Sequence, residues 1–99
     1  PTEQAETDLN QVVRAALEVT AYGARSSGII IDTDFAPGPV LAMTDADHVT
    51  QVAANFLINS QHALAGVAGD RLIKVRTFRG ERGNPGFSVE DNGPGVPEA

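Results

Sequence analysis

The apolar positions of this chain fall into two helix-like patterns and four shorter strand-like runs. In "TDLNQVVRAALEVTAYGARSSG", Leu9, Val13, Ala16 and Leu17 recur at helical spacing. Asp8 is placed to cap this helix, with Gln11 three residues on as in a capping box, and Gly28 is placed to end it. "IIIDTDF" (Ile29 to Phe35) opens with three β-branched residues and predicts a strand. "VLAM" (Val40 to Met43) predicts a second strand, with "APGPV" as the turn of a hairpin between them. "TDAD" offers Thr44 as N-cap and Asp47 as its capping-box partner, so a second helix is expected to run to about Ala65, where "GVAGD" breaks it.

"RLIKVRTF" (Arg71 to Phe78) puts Ile73, Val75 and Thr77 on one side and Lys74 and Arg76 on the other, the alternation of a half-buried strand. The Gly-rich "RGERGNPG" should turn the chain into a returning strand, "FSVED" (Phe87 to Asp91), and "NGPGVP" then reads as a rigid turn. The order helix, hairpin, helix, hairpin predicts an α+β fold. It would be a two-layer α/β sandwich, its helices packed on one face of a mostly antiparallel mixed sheet.

The second helix has an unusual polar side. At about 100° per residue, Val49, Val52, Ala53, Phe56, Ser60, Ala63 and Leu64 form the expected core face. His48, Gln51, Asn55, Asn59 and His62 fall together in a neighbouring strip roughly 80° wide. A solvated helix face normally carries Lys and Glu, yet neither occurs from Asp47 to Gly69. Asparagine is also a poor helix-interior residue, because its amide competes for the backbone. Two readings follow: a strip that caps loops or faces water, or a ligand wall. In the second, a neutral amide oxygen is a hard donor suited to Mg²⁺, which takes few protein ligands.

Composition narrows the ligand. The chain has 41% hydrophobic and 20% charged residues, the balance of a globular domain, and Cys is absent, which excludes disulfides and thiolate metal sites. A net charge of −6 and a pI near 4.6 argue against a nucleic-acid or anionic-membrane surface. An anionic ligand would need a divalent cation to offset the repulsion. No apolar run approaches the ~20 residues of a transmembrane helix. The opening "PTEQAETD" and the closing "GPGVPEA" look like cuts in a longer polypeptide.

In "EDNGPGVP", Asp91 ends a strand and is followed by glycines that permit positive φ and close ligand approach. A carboxylate held there can accept a hydrogen bond from the exocyclic amine of adenine. A plain Asp-Asn-Gly-Pro turn is the other reading.

Taken in order, Q-x-x-x-N-x-x-x-N on a helix and then D-x-G-x-G after two strands resemble the catalytic ATP-binding domain of sensor histidine kinases, within the Bergerat-fold ATPases. "DHVTQVAANFLINSQHAL" is similar to that family's N box and "VEDNGPGVP" to its first glycine box. The resemblance implies that residues 1–99 are the N-terminal portion of such a domain, with the lid, the second glycine box and the phosphoacceptor domain lying elsewhere. It implies ATP and Mg²⁺ as ligands: Asn59 on the metal, Asn55 and His62 at the phosphates, Asp91 on the adenine amine, and Gly93 and Gly95 shaping the pocket floor. Ala63 stands where some of these kinases carry an aromatic residue, so no ring stacking is expected from it.

For the parent protein the resemblance implies transfer of the γ-phosphoryl to a histidine, in the cytoplasm, with a response regulator as partner. His48 is followed by Val-Thr and His62 by Ala-Leu, which is not the phosphoacceptor pattern. The segment alone is expected to carry part of a nucleotide site, to lack full activity, and to self-associate through an unpaired sheet edge. Hydrolytic Bergerat-fold ATPases place an acidic residue ahead of the metal Asn, whereas Gln51 and Asn55 stand in that region here. An anti-sigma-type serine kinase shares both boxes, and a degenerate interaction module that binds no nucleotide is the reading of a different class.

Overall fold

A computed structural model describes residues 4–80 and 82–93. Five strands and two helices follow in the order β1 (Ala5–Asp8), α1 (Leu9–Ser26), β2 (Ile29–Asp34), β3 (Leu41–Thr44), α2 (Ala46–Leu64), β4 (Arg71–Arg79) and β5 (Pro85–Asp91). The fold is α+β, as the residue pattern predicts.

Asp8 caps α1, its Oδ1 accepting from the Asn10 N–H at 3.0 Å and also from the Val40 N–H at 3.1 Å. The helix ends at Ser26, and Gly28, with φ of 67°, turns the chain into β2. The cap of α2 is shifted by one residue from the expected Thr44 to Asp45, whose Oδ1 accepts from the His48 N–H at 3.2 Å. The reason is the preceding strand: Thr44 pairs with Ala5 and is held extended as the last residue of β3.

The expected hairpin between β2 and β3 does not form. β2 instead pairs in parallel with β4, from Ile29↔Arg71 to Asp34↔Arg76, and β3 pairs antiparallel with β1, a strand the sequence pattern did not suggest. β4 and β5 make the expected antiparallel hairpin, from Ile73↔Asp91 to Arg79↔Pro85. The result is a β2-β4-β5 sheet and a separate β1-β3 ribbon. The "APGPV" turn therefore joins strands of two different sheets, and α2 lies on the crossover that brings β4 beside β2.

Both helices pack on one face of the three-stranded sheet. Ile73, Val75 and Thr77 face them, fully or nearly fully buried, against Val13, Ala16, Ala53, Leu57 and Leu64. The opposite face is solvated by charges matched across the strands. Asp32, Lys74 and Glu90 stand in one row, and Asp34 and Arg76 in the next, with 3.6 Å between the latter pair.

The core face of α2 is rotated from its expected position. Ala53, Leu57, Ser60 and Leu64 are buried, whereas Phe56 is 48% exposed and Ala63 is exposed. The apolar residues nearly encircle this helix, so its pattern left the phase open. The layer position of α1, with Gln61 Nε2 donating to the Thr20 carbonyl at 3.1 Å, decides it.

One polar cluster is enclosed. Asn10, 5% exposed, donates through Nδ2 to the carbonyls of Gly38 at 2.9 Å and Ala36 at 3.2 Å, and its Oδ1 accepts from Thr77 Oγ1 at 2.5 Å. Thr77 Oγ1 in turn accepts from the Ala36 N–H at 2.8 Å. The cluster pins the β2–β3 connection to α1 and β4, and leaves no buried side-chain polar atom unpaired among the described residues.

Candidate functional site

The strip on α2 is exposed along its whole length: His48, Gln51, Asn55, Asn59 and His62. None of their side chains makes a hydrogen bond among the described residues, whose side-chain bonds involve other groups throughout. The strip therefore caps no described loop. Its amides point outward with their donors and acceptors open.

Asp91 reaches the same layer from the sheet. It stands opposite Ile73 in the antiparallel register, and Ile73 is fully buried toward the helices. Directly opposed residues share a face, so Asp91 lies on the helix side. It is half-buried, its Oδ1 accepting from the Gly93 N–H at 2.9 Å. Gly93 then meets the last turn of α2. A Cβ on it would stand 2.9 Å from Asp91 Oδ1, 3.3 Å from the Ala63 carbonyl oxygen and 3.5 Å from Leu64 Cδ2. Glycine is needed here for close approach rather than for positive φ, which Gly93 does not adopt. Gly95 lies outside the described residues.

At the other end of this contact, the rings of Phe56 and Phe87 pack with centroids 6.2 Å apart. One edge of α2, from Phe56 to Ala63, thus runs beside β5 from Phe87 to the turn at Gly93. Asn59 lies close to that edge, about 40° round the helix from Ala63 and about 60° from Phe56. Asn55 and His62 lie roughly 40° and 60° beyond Asn59, farther from β5. Round the helix axis the strip is graded: Asn59 lies nearest the β5 side, and Asn55 and His62 lie farther toward open solvent.

Two residues that the sequence reading left out stand behind this turn. Asn92, read there only as part of a turn, uses its side chain to bond the backbone at the start of β4. Arg71, assigned only a place at the start of a strand, donates to the carbonyls of both helix C-caps, Ser27 and Ala65, and to that of Val67 in the loop after α2. No local signal marks either role, since their partners lie up to 44 residues away.

Among the described residues, no cluster of three His, Cys, Asp or Glu side chains could cage a metal, and no helix is long and apolar enough to cross a membrane. A metal held at this site would take a neutral carboxamide from the chain and its remaining ligands from elsewhere. Such a donor set fits Mg²⁺ with a phosphate ligand.

No protein-family model matches the sequence, and the search of curated proteins gave no match. Solved structures do match. The catalytic domain of the histidine kinase ThkA superposes with a TM-score of 0.83 at 21% identity, over 97% of this chain and 64% of that one. The histidine kinase AdeS of Acinetobacter baumannii gives 0.78 at 20% identity, over 99% of this chain and 46% of that one. The cytoplasmic segment of the histidine kinase QseC gives 0.77 at 17% identity, over 93% and 56%. The chain has the fold of a histidine-kinase catalytic domain, and it spans less than two thirds of the length of these structures.

Proposed function

We propose that residues 1–99 form the N-terminal portion of a sensor histidine kinase's ATP-binding domain, carrying its adenine-reading and metal-binding groups. One observation supports this most directly. The Asp-x-Gly turn packs on the last turn of α2 through Gly93 and Ala63, one helical turn from Asn59. This contact supports reading two motifs that lie 32 positions apart in the chain, at Asn59 and Asp91, as parts of one site.

In this reading each residue has one task. Asp91 Oδ1 is engaged by the Gly93 N–H, which orients the carboxylate and leaves Oδ2 to accept from the adenine amine. Gly93 keeps the floor of the pocket free of side chain. Asn59 presents its amide oxygen to Mg²⁺, while Asn55 and His62 meet phosphate oxygens. Bound Mg²⁺ would offset the repulsion between the phosphates and a chain of net charge −6. The residues of the chain bind and orient; the γ-phosphoryl would go to a histidine on a separate helical domain of the parent, and from there to a response regulator. Catalysis of this kind rests on positioning and charge neutralisation. The parent domain would work in the cytoplasm.

Calorimetric titration of the chain with Mg-ATP tests the reading. Binding that is lost both in Asp91→Asn and in Asn59→Ala is the expected result. Absence of any heat with millimolar nucleotide would sink it for this chain.

A second copy of the chain is the further partner we propose. β5 has β4 on one side and, among the described residues, no strand on the other. Beside it lies a groove of about 410 Å³, lined by Val49, Val52, Phe56 and Phe87. Unpaired edges next to apolar surface favour association. Light scattering that stays monomeric at high concentration would exclude this.

A further inference from the structure

Residues 70–72 form a junction that neither the amide strip nor the glycine turn accounts for. On one side, Arg71 donates from Nη1 to the Ser27 carbonyl at 2.9 Å, from Nη2 to that of Ala65 at 3.0 Å, and from Nε to that of Val67 at 3.1 Å. Ser27 and Ala65 are the C-caps of α1 and α2. A single guanidinium thus closes both helix ends, where unpaired carbonyls and the negative ends of two helix dipoles gather.

On the other side, the Leu72 N–H donates to Asn92 Oδ1 at 2.8 Å, and the Asn92 N–H donates to the Leu72 carbonyl at 3.1 Å. Asn92 Nδ2 donates to the Asp70 carbonyl at 2.9 Å. The side chain so extends the β4–β5 ladder one step past its last pair, Ile73↔Asp91. Asn92 sits between the two residues that touch the proposed adenine pocket, Asp91 and Gly93.

The geometry points to Arg71 and Asn92 as positioning residues that hold the Asp91 carboxylate in register with the end of α2. The proposal rests on the nucleotide reading above. The connection runs from Asp91 through Asn92 to the backbone of residues 70–72, and from Arg71 to the carbonyl of Ala65 at the end of the helix that carries Asn59 and His62. Neither residue contributes much buried surface: Asn92 is exposed and Arg71 half-buried. The Asn92 side-chain bonds are open to water and contribute little to stability, whereas two of the three Arg71 bonds are partly buried. They do fix direction, and a carboxylate that reads an amine depends on direction.

The test compares Mg-ATP with Mg-inosine triphosphate, which carries a carbonyl in place of the amine, on the full chain and on Asn92→Ala and Arg71→Ala. Affinity for ATP should fall about tenfold while that for the inosine nucleotide falls less than about twofold, so that base discrimination collapses. Equal losses for both nucleotides would reduce the pair to scaffold and overturn the proposal. Should Arg71→Ala unfold, Arg71→Lys takes its place, keeping the charge while losing the planar fork. A wild-type chain that binds neither nucleotide would refute the nucleotide reading, and the positioning role would then be judged by amide hydrogen exchange. The Gly93 N–H should exchange at least about tenfold faster in Asn92→Ala. Unchanged protection there would overturn the role independently of any ligand.

Discussion

Asn10 and Asn59 are both asparagines within helices, and they do opposite things. Asn10 is 5% exposed and has its amide fully engaged with Gly38, Ala36 and Thr77. Asn59 is exposed, and its amide has no partner among the described residues. An enclosed amide is kept only if its bonds are made, because each orphaned group costs about 1–3 kcal/mol. An exposed amide meets no such constraint and contributes nothing to the fold that alanine would not. The difference separates a residue that holds the structure together from one whose presence asks for a ligand.

The largest effect expected from this contrast is at Asn10. Asn10→Ala would strand the carbonyls of Ala36 and Gly38 and remove the acceptor of Thr77 Oγ1, and should cost about 3 kcal/mol in urea unfolding. A loss below about 1 kcal/mol would mean that water enters and replaces the amide, and the contrast with Asn59 would collapse.

The exposed half of this contrast was legible in the sequence and the enclosed half was not. Asn55, Asn59 and His62 stand out by spacing alone, on a stretch without Lys or Glu. Asn10 sits two residues past the Asp8 cap, in the first turn of α1, where asparagine is unremarked, and its partners are 26 to 67 residues away. The same distinction applies to the fold. The Asp8 cap, the β4–β5 hairpin and the buried row Ile73, Val75 and Thr77 follow from local pattern. Strand partners across the crossover do not. β2 opens with three β-branched residues that suit any neighbour, and the turn after it favoured β3, the nearest one. β1 is polar and largely exposed, so no alternation announces it. In α2, Leu57 rather than Phe56 is the central core residue, a phase set by α1.

Gly93 gives the next effect in size and sharpens where the ligand side begins. Gly93→Ala puts a methyl carbon 2.9 Å from Asp91 Oδ1 and 3.3 Å from the Ala63 carbonyl, so the carboxylate must rotate off the Gly93 N–H and the backbone contact with the helix must loosen. Overpacking of this kind should cost about 1–2 kcal/mol in thermal or urea unfolding, together with at least about a tenfold loss of ATP affinity. If affinity falls with stability unchanged, the turn has moved as a unit. If neither changes, the close packing of the two motifs carries no function.

The smallest effect has the opposite sign, and it discriminates best. Replacing an exposed asparagine in a helix interior by alanine removes a residue that competes for the backbone, and should raise stability by about 0.5 kcal/mol. Asn59→Ala and Asn55→Ala should therefore each shift the urea midpoint upward, while Asn59→Ala abolishes Mg-ATP binding and Asn55→Ala weakens it. A gain in stability joined to a loss of binding is what a residue retained for a ligand shows. Were either substitution to destabilise the chain by 1 kcal/mol or more, about the worth of one hydrogen bond, that amide would belong with Asn10 among the groups that build the fold.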